Sequence, residues 1–76
     1  MSHQESNFLR YSIALFAEFA KHFGLKDNQA YKYLKRFKGL DYLRAYYDVL
    51  HTQTFDDAVE ALAIVCHKNG GRLVYA

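Results

Sequence analysis

The stretch Thr54–Gly71, TFDDAVEALAIVCHKNGG, decides the fold. Thr54 reads as an N-cap, and Asp57 three residues on completes a capping box with Asp in place of Glu. Asp56, Asp57 and Glu60 put negative charge where a helix N-terminus favours it. Val59, Leu62, Ala63 and Cys66 recur at three- and four-residue steps, and Ala58, Ala61 and Val65 widen that stripe. Asn69-Gly70-Gly71 stops it. A helix this apolar around its circumference, about 55–68, is expected at the centre of the molecule with others on both sides.

Working outward, three more helical patterns precede it. In about 5–23, Phe8, Ser12, Leu15, Phe16, Phe19 and Phe23 form one stripe, with Ser6 as N-cap in competition with Ser2 and Asn7. Leu25 then falls where a Schellman ending wants an apolar contact. In about 27–38, Asp27 or Asn28 caps, and Ala30, Leu34 and Phe37 face inward between Tyr31 and Tyr33. In about 40–50, Leu40, Leu43, Tyr47 and Leu50 share a face, with Asp41, Arg44 and Asp48 opposite as a row of ion pairs. Gly24, Gly39, Gly70 and Gly71 each follow such a pattern, where a left-handed C-cap suits glycine. The expectation is an all-α domain, a compact bundle of four helices, with residues 1–4 disordered and an extended arm over 72–76. The arm (Arg72-Leu73-Val74-Tyr75-Ala76) folds back over the core, frays, or adds a strand to another molecule.

Size and composition agree with one small globule. The chain has 76 residues, 51% hydrophobic, and 13 of them are Tyr or Phe, which argues against disorder. A single cysteine excludes an internal disulfide. The longest apolar run, Ala61–Cys66, is far too short to span a bilayer, so a cytoplasmic protein with no membrane role is expected.

No chemistry-bearing constellation emerges. His3, His22, His51, Cys66 and His67 show no zinc-site spacing, and adjacent Cys66 and His67 point about 100° apart on a helix. Cys66 lies near a helix C-terminus on an apolar face, the wrong place for a low-pKa nucleophile. No enzyme, metal or cofactor is expected. Nucleic-acid binding has one argument: residues 26–38 hold five Lys or Arg against one Asp, so Lys32, Lys35, Arg36 and Lys38 form a candidate basic face. In a helix-turn-helix, however, the second helix reads the groove, and here it offers Asp41, Asp48 and only Arg44. The other candidate is the aromatic cluster of Tyr42, Tyr46, Tyr47 and His51, with Leu73 and Tyr75 of the arm. Tyr47 and His51 either pack inward and tie down the turn to the fourth helix, or the cluster docks another protein.

At that cluster, Asp41-Tyr42-Leu43 followed by Tyr47-Asp48-Val49-Leu50-His51-Thr52 resembles the D-Y-I-x-x-x-Y-D-x-L-H-T core of the domain of unknown function 3791 family. The resemblance runs over roughly residues 7–68; it departs at Leu43, where Ile is common, and in the Gly-Gly-Arg-Leu-Val-Tyr-Ala tail, which is not mapped onto the family pattern. It implies a small bacterial helical protein, often encoded beside ADP-ribosyltransferase-like proteins, and hence an accessory or antitoxin-like role. With no chemistry-bearing constellation and surplus aromatics in so small a domain, the leading expectation is a non-enzymatic protein-interaction module. A homodimer is a further possibility, because small domains often gain core by association.

Overall fold

A computed structural model of the chain describes residues 3–73, with side chains from Asn7 onward. Four helices follow in order: α1 His3–Phe23, α2 Asp27–Arg36, α3 Gly39–Leu50 and α4 Phe55–Lys68. The all-α bundle read from the sequence is the fold. At about 1.5 Å per residue α1 is about 31 Å long, which sets the 35 Å long axis.

Capping explains where the helices begin and end. Thr54 Oγ1 accepts from the Asp57 amide at 3.1 Å, as its sequence position predicts. The α1 ending is a Schellman motif: Gly24 is left-handed and the Leu25 amide donates to the Ala20 carbonyl at 2.8 Å. The α4 ending repeats it, with Gly70 left-handed and the Gly71 amide donating to the Cys66 carbonyl at 2.8 Å.

Several local expectations need correction. Helix α1 begins at His3, so His3, Gln4, Ser6 and Asn7 lie inside it, and Ser6 does not cap it; Met1 and Ser2 lie outside the described residues. The N-cap position of α2 is Lys26, not Asp27 or Asn28, and the Lys26 amide donates to Gln29 Oε1 at 2.9 Å. Helix α2 ends at Arg36, and it is Lys38, not Gly39, that turns left-handed with φ 71°. Gly39 instead opens α3 for want of space: a Cβ there would lie 2.6 Å from Leu34 Cδ2 and 3.0 Å from Cys66 Sγ. Gly71 is likewise pressed flat, with 2.0 Å between its hypothetical Cβ and the Tyr33 hydroxyl.

The largest correction concerns α4. It is not central; α1 packs on α2 and α4, and α3 packs on the same two, so the helices form a closed ring around a shared core. Ile64 on α4 accordingly faces solvent. Each helix contributes to that core: Leu15, Phe19, Ala20 and Phe23 from α1, Ala30 and Leu34 from α2, Leu43 and Leu50 from α3, and Ala58, Val59, Leu62 and Cys66 from α4. The ring arises because each helix turns one apolar stripe inward, and four stripes close most economically by facing one axis. The arm starts back over this core, since Leu73 packs against it; Val74, Tyr75 and Ala76 lie outside the described residues. Among the described residues, no helix is long and apolar enough to cross a membrane.

Candidate functional site

The aromatic cluster on α3 has two sides with different jobs. Its inner side builds the corner between α3 and α4. Leu50 is fully buried, and its carbonyl accepts from the Tyr11 hydroxyl of α1 at 3.0 Å and from the Gln53 amide at 3.0 Å. His51 is the C-cap: its amide and its Nδ1–H both donate to the Tyr47 carbonyl, at 2.9 and 2.8 Å. Thr52 Oγ1 donates to the Val49 carbonyl at 2.6 Å. The carbonyls of Tyr47, Val49 and Leu50 at the end of α3 are therefore met by His51, Thr52, Gln53 and Tyr11. Tyr47 stacks on His51 (4.8 Å, 24°) and receives Phe8 and Tyr11 edge-on at 5.1 and 5.5 Å. Tyr11 also stacks on Phe55 at 5.6 Å. Burial, then the neighbouring Tyr47 phenol, holds the Tyr11 hydroxyl above its ordinary pKa of 10.0, so it stays a donor at neutral pH.

Tyr47 thus packs inward as one of the two expectations had it, but His51 closes its own helix instead of reaching across the turn. Tyr11 makes the long-range bond. It sits three residues after Phe8 and four before Leu15, a helical spacing that borders the α1 stripe, although the stripe drawn from the sequence left it out.

The outer side of α3 is a second apolar stripe. Tyr42, Ala45, Tyr46 and Val49 stand at i, i+3, i+4 and i+7. Tyr42 is half-buried, with its ring 4.6 Å from that of Tyr46, while Tyr46 is 49% exposed and Val49 52%. Tyr46 also breaks the helical backbone, with φ −120° and ψ 21°, and kinks α3 at that point. Leu73 is not part of this stripe: its amide donates to the Tyr33 hydroxyl at 3.4 Å, and it lines a hollow with Phe23, Glu60, Ala63, Ile64, His67 and Lys68.

The family model for the protein of unknown function DUF3791 matches residues 10–69. The chain belongs to the DUF3791 family. No curated protein and no solved structure matches it. The match takes in the corner and the outer stripe and stops short of Leu73 and Tyr75, the two arm residues of the predicted surface.

Other features of this DUF3791 member stand apart from α3. Lys32, Lys35, Arg36 and Lys38 are all exposed; Lys35 and Arg36 lie in the last turn of α2, and the Arg36 guanidinium sits 5.2 Å above the Phe37 ring. Cys66 is fully buried, and burial pushes its thiol from 9.0 up to about 11 against the lowering effect of its contact with the Gly39 backbone. Such a thiol is protonated at neutral pH and screened from solvent. The grouping that sequence spacing missed is Glu18, His22 and Asp56, whose ligand atoms lie within 4.8 Å of one another. His22 Nε2 is 3.1 Å from Asp56 Oδ1, and Nδ1 is 2.8 Å from the Glu18 carbonyl. These three groups join α1 to the first turn of α4 and have the donor types to hold a cation. The expected ion-pair row on α3 does not form: Arg44 makes no ion pair among the described residues, although Asp41 and Asp48 flank it at i−3 and i+4.

Proposed function

We propose that this chain is a protein-interaction module that docks its partner on the outer stripe of α3. The observation that carries this is the i, i+3, i+4, i+7 set of half-buried Tyr42 and exposed Ala45, Tyr46 and Val49 on a helix whose opposite face already holds the core. That spacing is how one helix meets a second helix or a groove, and exposed tyrosines are favoured as anchors of such contacts. Family resemblance makes an ADP-ribosyltransferase-like effector encoded nearby the first partner to try, with this chain in an accessory or antitoxin-like role.

The test is affinity purification with the wild-type chain and with a Tyr46→Asp/Val49→Asp variant, followed by titration of the purified partner. Both positions are about half exposed, so the variant keeps the wild-type helical circular dichroism and melting temperature while affinity falls at least about tenfold. A variant that binds the same partner as tightly as wild type overturns the reading. So does tight, salt-dependent binding of duplex DNA that is lost on Lys32→Gln/Lys35→Gln.

A further inference from the structure

We propose that the hollow between α1, α2 and α3 binds a small aromatic carboxylate carrying a hydrogen-bonding tip. The hollow measures about 230 Å³, below the roughly 300–1,000 Å³ of pockets for drug-sized ligands, so it suits a single ring with a short substituent. Phe8, Leu9, Phe16, Leu40 and Leu43 supply apolar walls.

Two polar features set its chemistry. Ser12 lines the hollow and is only 4% exposed, and its hydroxyl has no hydrogen-bond partner among the described residues. A buried hydroxyl left without a partner is costly, and nothing about the α1 stripe asks for one, since alanine would fill the same position. A ligand atom able to donate or accept satisfies it. The second feature is Arg44, which lines the same hollow, is exposed, and forms no ion pair among the described residues. A free guanidinium beside apolar walls favours a carboxylate, whose two oxygens match its fork of donors. Apolar body, tip for Ser12 and anionic head for Arg44 together describe the ligand. This inference concerns the opposite side of α3 from the outer stripe and does not depend on the docking of a protein there.

The probe is p-hydroxyphenylacetate, titrated into isotope-labelled protein and followed by amide chemical shifts. Phenylacetate lacks the tip, and p-cresol lacks the carboxylate. The expected result is saturable shifts at the hollow with a millimolar dissociation constant, as suits a ligand this small. Binding of p-hydroxyphenylacetate then exceeds that of each truncated probe by about three- to tenfold. Arg44→Gln lowers its affinity to that of p-cresol and leaves p-cresol unchanged. Ser12→Ala, a substitution the core accommodates, erases the preference over phenylacetate. Absence of saturable shifts at the hollow overturns the proposal, as does binding that neither substitution changes.

Discussion

Tyr11→Phe tests whether the Leu-His-Thr corner is held together as the structure shows. The substitution deletes one hydroxyl and keeps the ring, so the stack on Phe55 and the edge contact with Tyr47 stay. What is lost is the 3.0 Å bond to the Leu50 carbonyl. That carbonyl keeps its second donor, the Gln53 amide at 3.0 Å, so no buried acceptor is orphaned. The cost is then the net value of one partly buried hydrogen bond, about 1 kcal/mol, and not the larger penalty of an unsatisfied group. In a domain of this size about 1 kcal/mol lowers the melting temperature by about 4–8 °C. Thermal and urea unfolding followed by helical circular dichroism measure it, and the urea slope should not change. A Phe variant that melts with wild type means the bond contributes nothing. A loss above about 3 kcal/mol means the ring itself has moved, and either result refutes this account of the corner.

Three further outcomes are expected. Gly39→Ala destabilises by about 1–2 kcal/mol in the same melts, because contacts of 2.6 Å to Leu34 and 3.0 Å to Cys66 outweigh the roughly 1 kcal/mol that Ala gains over Gly in a helix. Thr54→Ala costs about 1 kcal/mol through loss of the bond from the Asp57 amide. Stability falls at alkaline pH: Cys66, raised to about 11, holds its proton in the fold while the unfolded chain releases it near 9.0, so the contribution is intact below pH 9.0 and about 2–3 kcal/mol is gone once pH passes about 11. Burial raises Tyr11 and Tyr33 in the same direction, and urea midpoints of wild type and Cys66→Ala across this range isolate the thiol: the variant's loss is the shallower.

How far the fold was legible depended on how local its causes are. The N-cap at Thr54 and the Schellman ending at Leu25 are decided within six residues of chain, and the sequence shows both. Gly39 and Gly71 look like further helix stops, yet each is glycine because a side chain from another part of the fold occupies the Cβ position. Nothing next to them in the chain reveals this. The placement of α4 failed for a related reason. Its apolar circumference is real, but most of the extra positions are small alanines, which let neighbouring helices approach without requiring a helix on every side. On α3 the tyrosines and His51 were visible, whereas the division of labour between them was not. That division follows from which residues meet Tyr11, Phe8 and Phe55, all distant in sequence. The kink at Tyr46 has no local signal, since neither Gly nor Pro stands near it.

The residues of α3 and its corner therefore separate into those the fold explains, most of them in the family signature, and those it does not, Tyr46 and Val49, which stand at unspecified positions of that signature. Tyr47, Leu50, His51 and Thr52 all have structural employment: one aromatic hub, one core side chain and two caps. Removing any of them harms folding whatever the protein does, so sensitivity at these positions carries no information about a partner. Tyr46 is different. Fully burying a large apolar side chain contributes roughly 1.5–3 kcal/mol, and this fold forgoes about half of that at Tyr46 and again at Val49. A chain of 76 residues has little stability in reserve, and two neighbouring apolar side chains left half in solvent are burial that folding alone does not use. They are accounted for if a partner covers the stripe, because docking then recovers the burial that the isolated domain lacks. Substitutions at Tyr46 and Val49 should accordingly separate binding from stability, which those at Leu50 and His51 cannot do.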